Sequence, residues 1–506
     1  MGDTSVGSRW GLRLLPDGAL VALLAGAAAA LLRQQPLSPL AALGAGALAL
    51  AALLLAYASA GTALWLSRAH LEPHGTPAAT ALSALRHRRN IGRRMPCPYP
   101  DAWYTVALSA ELLPGALVDV TVCGRSLVVF RPRDGSVPAA LDAYCTHLGS
   151  HLAHGGGRLE SDGCIRCPFH GWCFDSKGHL VRTETGDAPP AGSDLKAWPV
   201  LERNGVVSVW MSAAGHRAPP PPAASPALSP VGAAAPAASS AVDKLAALLA
   251  AAKPAAAPAL AASDATTSAA DANEERPWFE PPVFPELDGG PEAFVYHGCS
   301  EHVVPALIFE LPENGADVGH LSALHSAFVV ASLRPLLSHK WAASWRADET
   351  HAHLARLRIC ESMVLLGVTL PGPVEVEITQ CGPSQVFLAF RVPAIGRVSI
   401  IETVTPVAPT TQRVLHAVYA APHVPRLIAK ALLASVVRAY EQDLPVWAHK
   451  RYEPAPRLTS SEGAIGVYRK WVRQFIKSPR AISFEEAQKA QLRIDLGLPD
   501  DSTLSW

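Results

Sequence analysis

The first part of the chain is dominated by apolar residues. Residues 40–66 contain no charged side chain, and this run is longer than the roughly 20 apolar residues needed to cross a bilayer. A shorter apolar run, residues 18–32, is followed by Arg33 and two prolines. It fits either one half of a helical hairpin or the core of a signal peptide. The pattern predicts a membrane anchor within residues 1–70, with one or two spans.

Basic residues follow the apolar region. Arg86, Arg88 and Arg89 precede Arg93 and Arg94, and flanks rich in Lys and Arg tend to stay on the cytosolic side. This favours an anchor in the endoplasmic reticulum membrane with the rest of the chain in the cytosol. Few acids and several arginines near the start leave a plastid or mitochondrial targeting segment as the alternative.

Residues 95–212 show the short apolar patterns of β-strands. Residues 116–123 and 126–131 flank Gly124-Arg125, which is a hairpin signal, and residues 205–210 form a closing strand. We therefore predict an all-β domain over residues 95–212.

A change of composition follows this domain. Residues 213–276 are rich in Ala, Pro and Ser, a composition that buries too little apolar surface to fold by itself. We predict a disordered linker with a short helix at residues 242–252. Residues 481–506, at the other end of the chain, are predicted to be a C-terminal tail.

Residues 277–480 combine strand-like runs with longer helical patterns. Helices are expected at residues 305–328, 424–450 and 462–477. The strands are predicted at residues 340–346, 353–360, 374–380, 385–391 and 397–404. Many strands followed by a long C-terminal helix favour an α+β fold with a sheet curved over a cavity. Such a cavity suits a flat apolar ligand.

Composition excludes some classes of partner. The 43 basic and 43 acidic residues balance, so the chain lacks the electrostatic footprint of a nucleic-acid-binding protein. Nine cysteines without a regular framework favour a reducing compartment.

Two cysteine–histidine pairs carry the strongest chemical signal. Cys145 and His147 form the first pair, and Cys167 and His170 form the second. Two thiolates and two imidazoles are the ligands of a Rieske [2Fe–2S] cluster, in which the cysteines hold one iron and the histidines hold the other. A protein with this cluster transfers single electrons.

A zinc site is the alternative interpretation, since Cys164-x-x-Cys167 alone would suit tetrahedral zinc. The spacing favours the cluster, because zinc fingers usually show two short-spaced pairs with nothing left over. Here His151, His154, Cys164 and Cys173 are left over. We interpret them as structural or supporting residues around the cluster.

A second metal site is indicated by residues 313–325. His320 and His325 lie among apolar and small residues, with Asp317 three positions before His320. On a helix, Asp317 and His320 share a face, whereas His320 and His325 can share an ion only if the turn between them is distorted. Two histidines and one carboxylate hold the iron of non-haem oxygenases and leave positions open for dioxygen.

The carboxylate ligand must come from another part of the chain. Asp443 is the best candidate, in a long amphipathic helical stretch, and its neighbour Glu441 competes with it. A solvated helix face is the usual place for such acids, and spacing alone does not separate the two.

Taken together, these motifs resemble those of the Rieske non-haem iron oxygenases. The segment up to Gly149 also resembles the Rieske proteins of respiratory complexes, but Ser150 and Phe169 stand where those proteins have disulfide cysteines. Among oxygenases the chain is most similar to the Neverland-type cholesterol 7-desaturases, with the bacterial 3-ketosteroid 9α-hydroxylases as cousins. The similar blocks are residues 98–104, 142–145, 167–172 and 312–317, and Asp443 with Trp447.

The resemblance implies roles for particular residues. Asp443 would be the iron carboxylate, and Asp317 would carry electrons from a Rieske histidine to the mononuclear iron. The second domain would have a helix-grip fold, and the protein would be a homotrimer in which the Rieske domain of one subunit serves the iron of the next. The long linker, and Ser150 with His151, depart from the usual pattern and bear on substrate choice.

The leading hypothesis is a membrane-anchored sterol oxygenase that converts cholesterol to 7-dehydrocholesterol with dioxygen, a [2Fe–2S] cluster and mononuclear Fe(II). The chain shows no evident nicotinamide or flavin motif, so electrons from NAD(P)H would arrive through a separate reductase. The runner-up is a related hydroxylase of a ketosteroid or a plastid pigment. A non-catalytic Rieske electron carrier is the alternative from a different class.

Overall fold

The computed structural model describes residues 68–71, 86–212, 276–289, 293–325, 337–365, 368–369, 373–392, 395–476 and 481–495. No helix within these ranges is long and apolar enough to cross a membrane. The two apolar runs predicted as spans lie outside the described residues, as does the linker up to residue 275 with its expected helix.

Short strands build the first half of the described chain. In chain order they are β1 (Arg68–Leu71), β2 (Arg94–Met95), β3 (Ala102–Leu108), β4 (Leu117–Val122), β5 (Arg125–Phe130), β6 (Ala139–Asp142), β7 (Arg158–Leu159), β8 (Ile165–Arg166), β9 (Cys173–Phe174), β10 (Leu180–Arg182), β11 (Ala197–Trp198), β12 (Val200–Arg203) and β13 (Val206–Met211). From β3 onward they form three small sheets, ordered β12-β13-β3, β11-β6-β5-β4 and β10-β9-β8-β7. Residues 95–212 contain no helix, as the alternating pattern predicts.

The hairpin between β4 and β5 turns one residue earlier than the sequence suggests. Cys123 and Gly124 occupy the turn, both with positive φ (51° and 78°), while Arg125 already belongs to β5. Two positive φ angles are typical of the type I′ turn that suits a twisted hairpin. The amide of Cys123 donates to the carbonyl of Pro406 at 2.6 Å, so this turn is also bonded to the second domain.

One large sheet dominates the second half. Its strands are β14 (Val295–Val304), β15 (Leu337–Ala347), β16 (Leu354–Leu365), β17 (Val368–Thr369), β18 (Val374–Cys381), β19 (Gln385–Val392), β20 (Gly396–Ala408) and β21 (Thr411–Ala420). The order is β1-β14-β21-β20-β19-β18-β16-β15, with β17 beside β16. All neighbours are antiparallel except β1, which runs parallel to β14.

Helices complete the α+β fold. They are α1 (Glu310–Glu313), α2 (Val318–Leu324), α3 (Arg426–His449), α4 (Gly463–Val472) and α5 (Phe484–Asp495), the last preceded by a short strand, β22 (Ile482–Ser483). The long helix α3 packs against β14 and β21. Its buried side includes Leu433, Val437 and Tyr440, so the apolar stripe that predicted this helix is the surface that meets the sheet.

The single helix predicted over residues 305–328 is wrong. The described part of this segment contains two short helices, α1 and α2, with Asp317 as the N-cap of α2. The carboxylate of Asp317 accepts a hydrogen bond from the amide of His320 at 3.3 Å. A capping side chain of this kind starts a new helix instead of continuing the previous one.

The two halves share a continuous hydrophobic core. Trp103 of β3 packs edge-on against Trp210 of β13, with ring centroids 5.6 Å apart, and Trp210 contacts Phe279 of the second domain. The indole of Trp103 donates to the carbonyl of Phe279 at 2.8 Å. The Rieske-like domain is therefore packed firmly on the second domain.

The chain ends are more structured than the sequence suggests. Residues 68–70, assigned to the anchor, belong to β1 at the edge of the large sheet. Within the segment assigned to a tail, β22 pairs with β2 and α5 follows it. Arg86, part of the basic flank, is fully buried, and Arg94 donates to the carbonyl of Ala481. Arg86 thus serves the core of the fold, while Arg94 is an exposed residue that bonds to the C-terminal segment.

Candidate metal centres

The four residues of the first motif lie on two matching loops. Cys145 and His147 lie between β6 and β7, and Cys167 and His170 lie between β8 and β9. In each loop a glycine amide donates to the cysteine carbonyl, at 3.0 Å from Gly149 and 3.2 Å from Gly171. Both glycines have positive φ (71° and 66°), which a residue without a Cβ adopts readily.

The two loops place sulfur inside and imidazole outside. Cys145 and Cys167 are buried, with 3% and 2% of their surface exposed. The rings of the exposed His147 and the half-buried His170 lie 4.6 Å apart, and His147 stacks on Trp172 with the ring planes 8° apart. Burial, with a further contribution from the neighbouring Cys167, raises the pKa of Cys145 to about 11. A bound metal would replace that thiol proton.

The arrangement fits a two-iron cluster better than a single ion. Among the described residues, two sets of three side chains have potential ligand atoms that all lie within 4.8 Å of one another. They are Asp119 with His151 and His154, and His320 with His325 and Asp443. The two-cysteine, two-histidine set does not converge on one point in this way. A [2Fe–2S] cluster spreads its protein ligands over two irons, so this donor set suits the cluster.

The residues left over by the motif have partners of their own. The thiols of Cys164 and Cys173 lie under the guanidinium of Arg182, at 3.5 and 3.2 Å. His154 lies 3.4 Å from the carboxylate of Asp119. Cys164 is thus paired with Cys173, which the sequence pattern did not indicate, and the Cys164-x-x-Cys167 zinc interpretation finds no support here.

The second donor set comes from α2 and α3. His320 lies in α2, His325 ends it as the C-cap, and Asp443 lies on the buried side of α3. The Nε2 atom of His325 is 3.5 Å from an oxygen of Asp443, and the two imidazole rings are 5.1 Å apart. His325 has φ −101° and ψ 11°, so the helix ends at His325 and the two histidines are not held to the spacing of a continuous helix.

The structure separates the two candidate carboxylates. Asp443 is buried and faces His325. Glu441 is half-buried and forms a 2.9 Å ion pair with the exposed Arg438 one turn earlier on α3. Glu441 is therefore paired away from the histidines, and Asp443 is the acid that belongs to the candidate site.

Hydrogen bonds fix which nitrogen each histidine presents. The Nδ1 atom of His320 bonds to the main-chain carbonyl of Asp317, and Nδ1 of His325 bonds to the side-chain oxygen of Gln442 at 2.9 Å. Both acceptors require a proton on Nδ1, which leaves the Nε2 lone pairs free for a metal. Burial opposes protonation of His325, but hydrogen bonds with Asp443 and Gln442 raise its pKa overall.

Asp317 and Gln442 differ from the sequence interpretation. Asp317 caps α2 and does not share a helical face with His320, although the two residues are in contact as expected. Gln442 was missed. The available signal was its position immediately before Asp443, which places it on the same helical turn.

Comparisons with known proteins match both domains to families. Residues 102–199 match the Rieske [2Fe-2S] domain family, and residues 270–476 match the 3-ketosteroid 9alpha-hydroxylase C-terminal domain family. A cholesterol 7-desaturase of Hemicentrotus pulcherrimus is 30% identical over 423 residues, which are 80% of this chain and 75% of the relative.

Two further relatives show how far the similarity extends. A cholesterol 7-desaturase of Xenopus laevis is 30% identical over 449 residues, covering 83% of this chain and 84% of the relative. The oxygenase component of a 3-ketosteroid-9-alpha-monooxygenase from Rhodococcus rhodochrous is 34% identical over 125 residues, covering 25% of this chain and 32% of the relative.

The two matched domains make this protein a Rieske-type oxygenase, an oxidoreductase that uses a [2Fe–2S] cluster, a mononuclear iron and electrons from a separate reductase. Within that class, the 30% identity over most of both chains is decisive. The chain belongs to the cholesterol 7-desaturase family, as its motifs predict.

Proposed function

We propose that the enzyme desaturates a sterol, most specifically cholesterol to 7-dehydrocholesterol. The observation that carries this proposal is the convergence of His320, His325 and Asp443 within 4.8 Å, in a chain of the cholesterol 7-desaturase family. Overall, the sterol loses two hydrogens while dioxygen, two electrons and two protons are consumed to give two waters. The electrons come from NAD(P)H through the reductase.

The same proposal assigns the ligands. Cys145 and Cys167 hold one iron of the cluster, and His147 and His170 hold the other. His320, His325 and Asp443 hold the mononuclear iron, whose open positions supply the activation of dioxygen when the metal is bound. The tautomers fixed by Asp317 and Gln442 support this assignment.

Electron delivery is proposed to run through Asp317. Its contacts with His320 place a carboxylate beside the candidate iron site. A homotrimer, in which the Rieske domain of one subunit reaches the iron of another, is supported by the exposed tip of that domain. Leu148 and Phe169, each 63% exposed, flank the ligand histidines as apolar contacts for a partner.

An N-terminal membrane anchor in the endoplasmic reticulum, with the catalytic domain in the cytosol, completes the proposal. It is supported by the charge-free run of residues 40–66 and by the apolar nature of a sterol. The anchor would end before β1, because residues 68–71 pair with β14.

The test is product analysis in cells supplied with cholesterol. We would express the full chain and measure 7-dehydrocholesterol by mass spectrometry, beside Asp443→Ala and the matched control Glu441→Ala on the same helix. We expect product from the wild type and from Glu441→Ala, and none from Asp443→Ala. The electron paramagnetic resonance signal of the reduced cluster should be the same in all three proteins.

Other outcomes point elsewhere. A wild type with an intact cluster but no sterol product would overturn the cholesterol assignment, and ketosteroids would be tested next because of the partial match to a ketosteroid monooxygenase. Product that persists in Asp443→Ala would overturn the ligand assignment while leaving the substrate in place.

A further inference from the structure

Cys164 and Cys173 meet at the base of the loop that carries Cys167 and His170. Cys164 immediately precedes β8, and Cys173 begins β9. In this antiparallel pair Arg166 lies opposite Cys173, so Cys164, two residues before Arg166, lies on the same face. Both cysteines are buried, with 3% and 0% of their surface exposed.

A single arginine covers the two sulfurs. The Nη2 atom of Arg182 is 3.2 Å from Sγ of Cys173 and 3.5 Å from Sγ of Cys164. Its Nη1 atom donates to the carboxylate of Asp162 at 2.8 Å. The side chain of Arg182 is 48% exposed, so the thiol pair lies directly beneath the surface of the domain.

The surroundings make the two thiols unequal. A hydrogen bond from Cys164 lowers the pKa of Cys173 to about 7, against the effect of burial and with help from Arg182. The same hydrogen bond and burial raise the pKa of Cys164. Burial raises the pKa of Cys381 and outweighs the opposing charge of Arg203. A large fraction of Cys173 is therefore thiolate at neutral pH, while the neighbouring Cys164 keeps its proton, and the thiolate is the nucleophilic form.

We propose that Cys173 and Cys164 form a peroxide-sensitive dithiol that closes to a disulfide at the base of the ligand loop. The Cys173 thiolate attacks one oxygen of hydrogen peroxide, forms an S–O bond and releases hydroxide. The sulfur of Cys164 then attacks the resulting sulfenic acid, and the S–O bond breaks as the S–S bond forms, with release of water. The two cysteines lose two electrons, and the peroxide gains them.

The consequence would be local to the cluster. Cys164 lies three residues before Cys167, and Cys173 lies three residues after His170. A disulfide between them would join the two ends of the segment that carries both ligands, and it would replace the thiolate charge with a neutral group. Charge near an iron–sulfur cluster is one of the factors that set its reduction potential.

The test uses the cluster-loaded full chain treated with one equivalent of hydrogen peroxide. Remaining thiols are alkylated, and the protein is digested with trypsin, which cleaves after Arg158, Arg166 and Lys177. We expect a disulfide-linked pair of the peptides 159–166 and 167–177, while the resonance signal of the reduced cluster stays unchanged. Because Cys167 shares a peptide with Cys173, Cys173→Ser identifies the partner and should abolish the link.

Two further variants probe the chemistry. Cys164→Ser should leave a sulfenic acid on Cys173 that dimedone traps. Arg182→Gln should slow the modification of Cys173 about fivefold at pH 7, since a pKa raised by about one unit reduces the thiolate fraction by that factor. Peptides that stay unlinked, or a link that survives in Cys173→Ser, would overturn the proposal. Equal oxidation of Cys381 would also overturn it.

Discussion

The guanidinium of Arg86 lies 2.5 Å from the carboxylate of Glu310, and both side chains are buried. Arg86 also donates to the carbonyls of Trp447 and Lys450, at 2.9 and 2.6 Å, where α3 ends. Arg86 therefore ties a segment that precedes the Rieske domain to α1 through the ion pair, and to the end of the helix that carries Asp443 through the hydrogen bonds.

Removal of this arginine should destabilise the protein. Arg86→Met would leave the buried Glu310 with only the longer ion pair to Lys450, at 3.5 Å, and we expect the free energy of unfolding to fall by about 3 kcal/mol. Urea denaturation measures it. The exposed neighbour Arg88 provides the control, since Arg88→Met should change stability by no more than about 0.5 kcal/mol. Similar losses in both variants would contradict a special role for Arg86.

A histidine beside Arg86 should make stability depend on pH. Burial lowers the pKa of His87 to about 4. Its Nδ1 donates to the carbonyl of Phe484, and its Nε2 accepts from the hydroxyl of Thr410. The unfolded chain takes up this proton near pH 6.5, so the stability that His87 contributes above that pH is lost as the pH falls toward 4.

The size of that effect can be measured with a non-titrating replacement. Between pH 7.5 and pH 5, the linkage predicts a loss of about 2 kcal/mol from this residue. His87→Gln keeps one donor and one acceptor but does not titrate, so its unfolding free energy should fall correspondingly less over the same range. Identical pH profiles for the two proteins would show that His87 does not titrate as described.

Gln442 should control iron affinity without being a ligand. Gln442→Leu removes the acceptor that orients His325, and loss of such a supporting hydrogen bond typically weakens metal binding 10- to 100-fold. Competition with a chromogenic chelator gives the dissociation constant. Glu441→Gln, one residue earlier on α3 and paired with Arg438 instead of a histidine, should bind iron like the wild type. Unchanged affinity in Gln442→Leu would rule out the orienting role.

Two glycines of the cluster loops should differ sharply in how well they tolerate replacement by alanine. A Cβ at Gly157 would lie 1.8 Å from the main-chain oxygen of Leu152, whereas a Cβ at Gly149 would meet nothing within 4 Å. We expect Gly157→Ala to lose most of the cluster resonance signal. Gly149→Ala should retain it and cost about 1 kcal/mol, because its φ is positive. A fully loaded Gly157→Ala protein would contradict this.

Local sequence patterns predict those elements whose formation depends on neighbouring residues. The apolar stripe predicts a helix over residues 424–450, and α3 spans Arg426–His449. The helix predicted over residues 305–328 fails because a capping carboxylate at Asp317 competes with helix continuation. The spacing of apolar residues thus predicts where a helix lies, but it does not reveal where a capping side chain ends one helix and starts another.

The parts of the site that the sequence could not show depend on distant contacts. The bond between His325 and Gln442 spans 117 positions of the chain, and that between Arg86 and Glu310 spans 224. Such contacts arise only when distant segments pack together in the folded chain, so no local pattern predicts them. Ligand types, in contrast, are visible in the sequence, because iron chemistry restricts which side chains can serve.

The segments that precede the Rieske domain pack as part of the second, catalytic domain. Strand β1 joins the large sheet of that domain, and β2 pairs with β22 near the C-terminus. The chain enters the Rieske domain at Asp101 and leaves it at Ser212, and the side chains of these two residues are hydrogen-bonded at 2.8 Å. The Rieske domain is thus an inserted module whose two junctions touch. Exchange of this module between relatives would require two splices made together, and a shortened protein that starts after the linker would lack an edge strand of its own sheet.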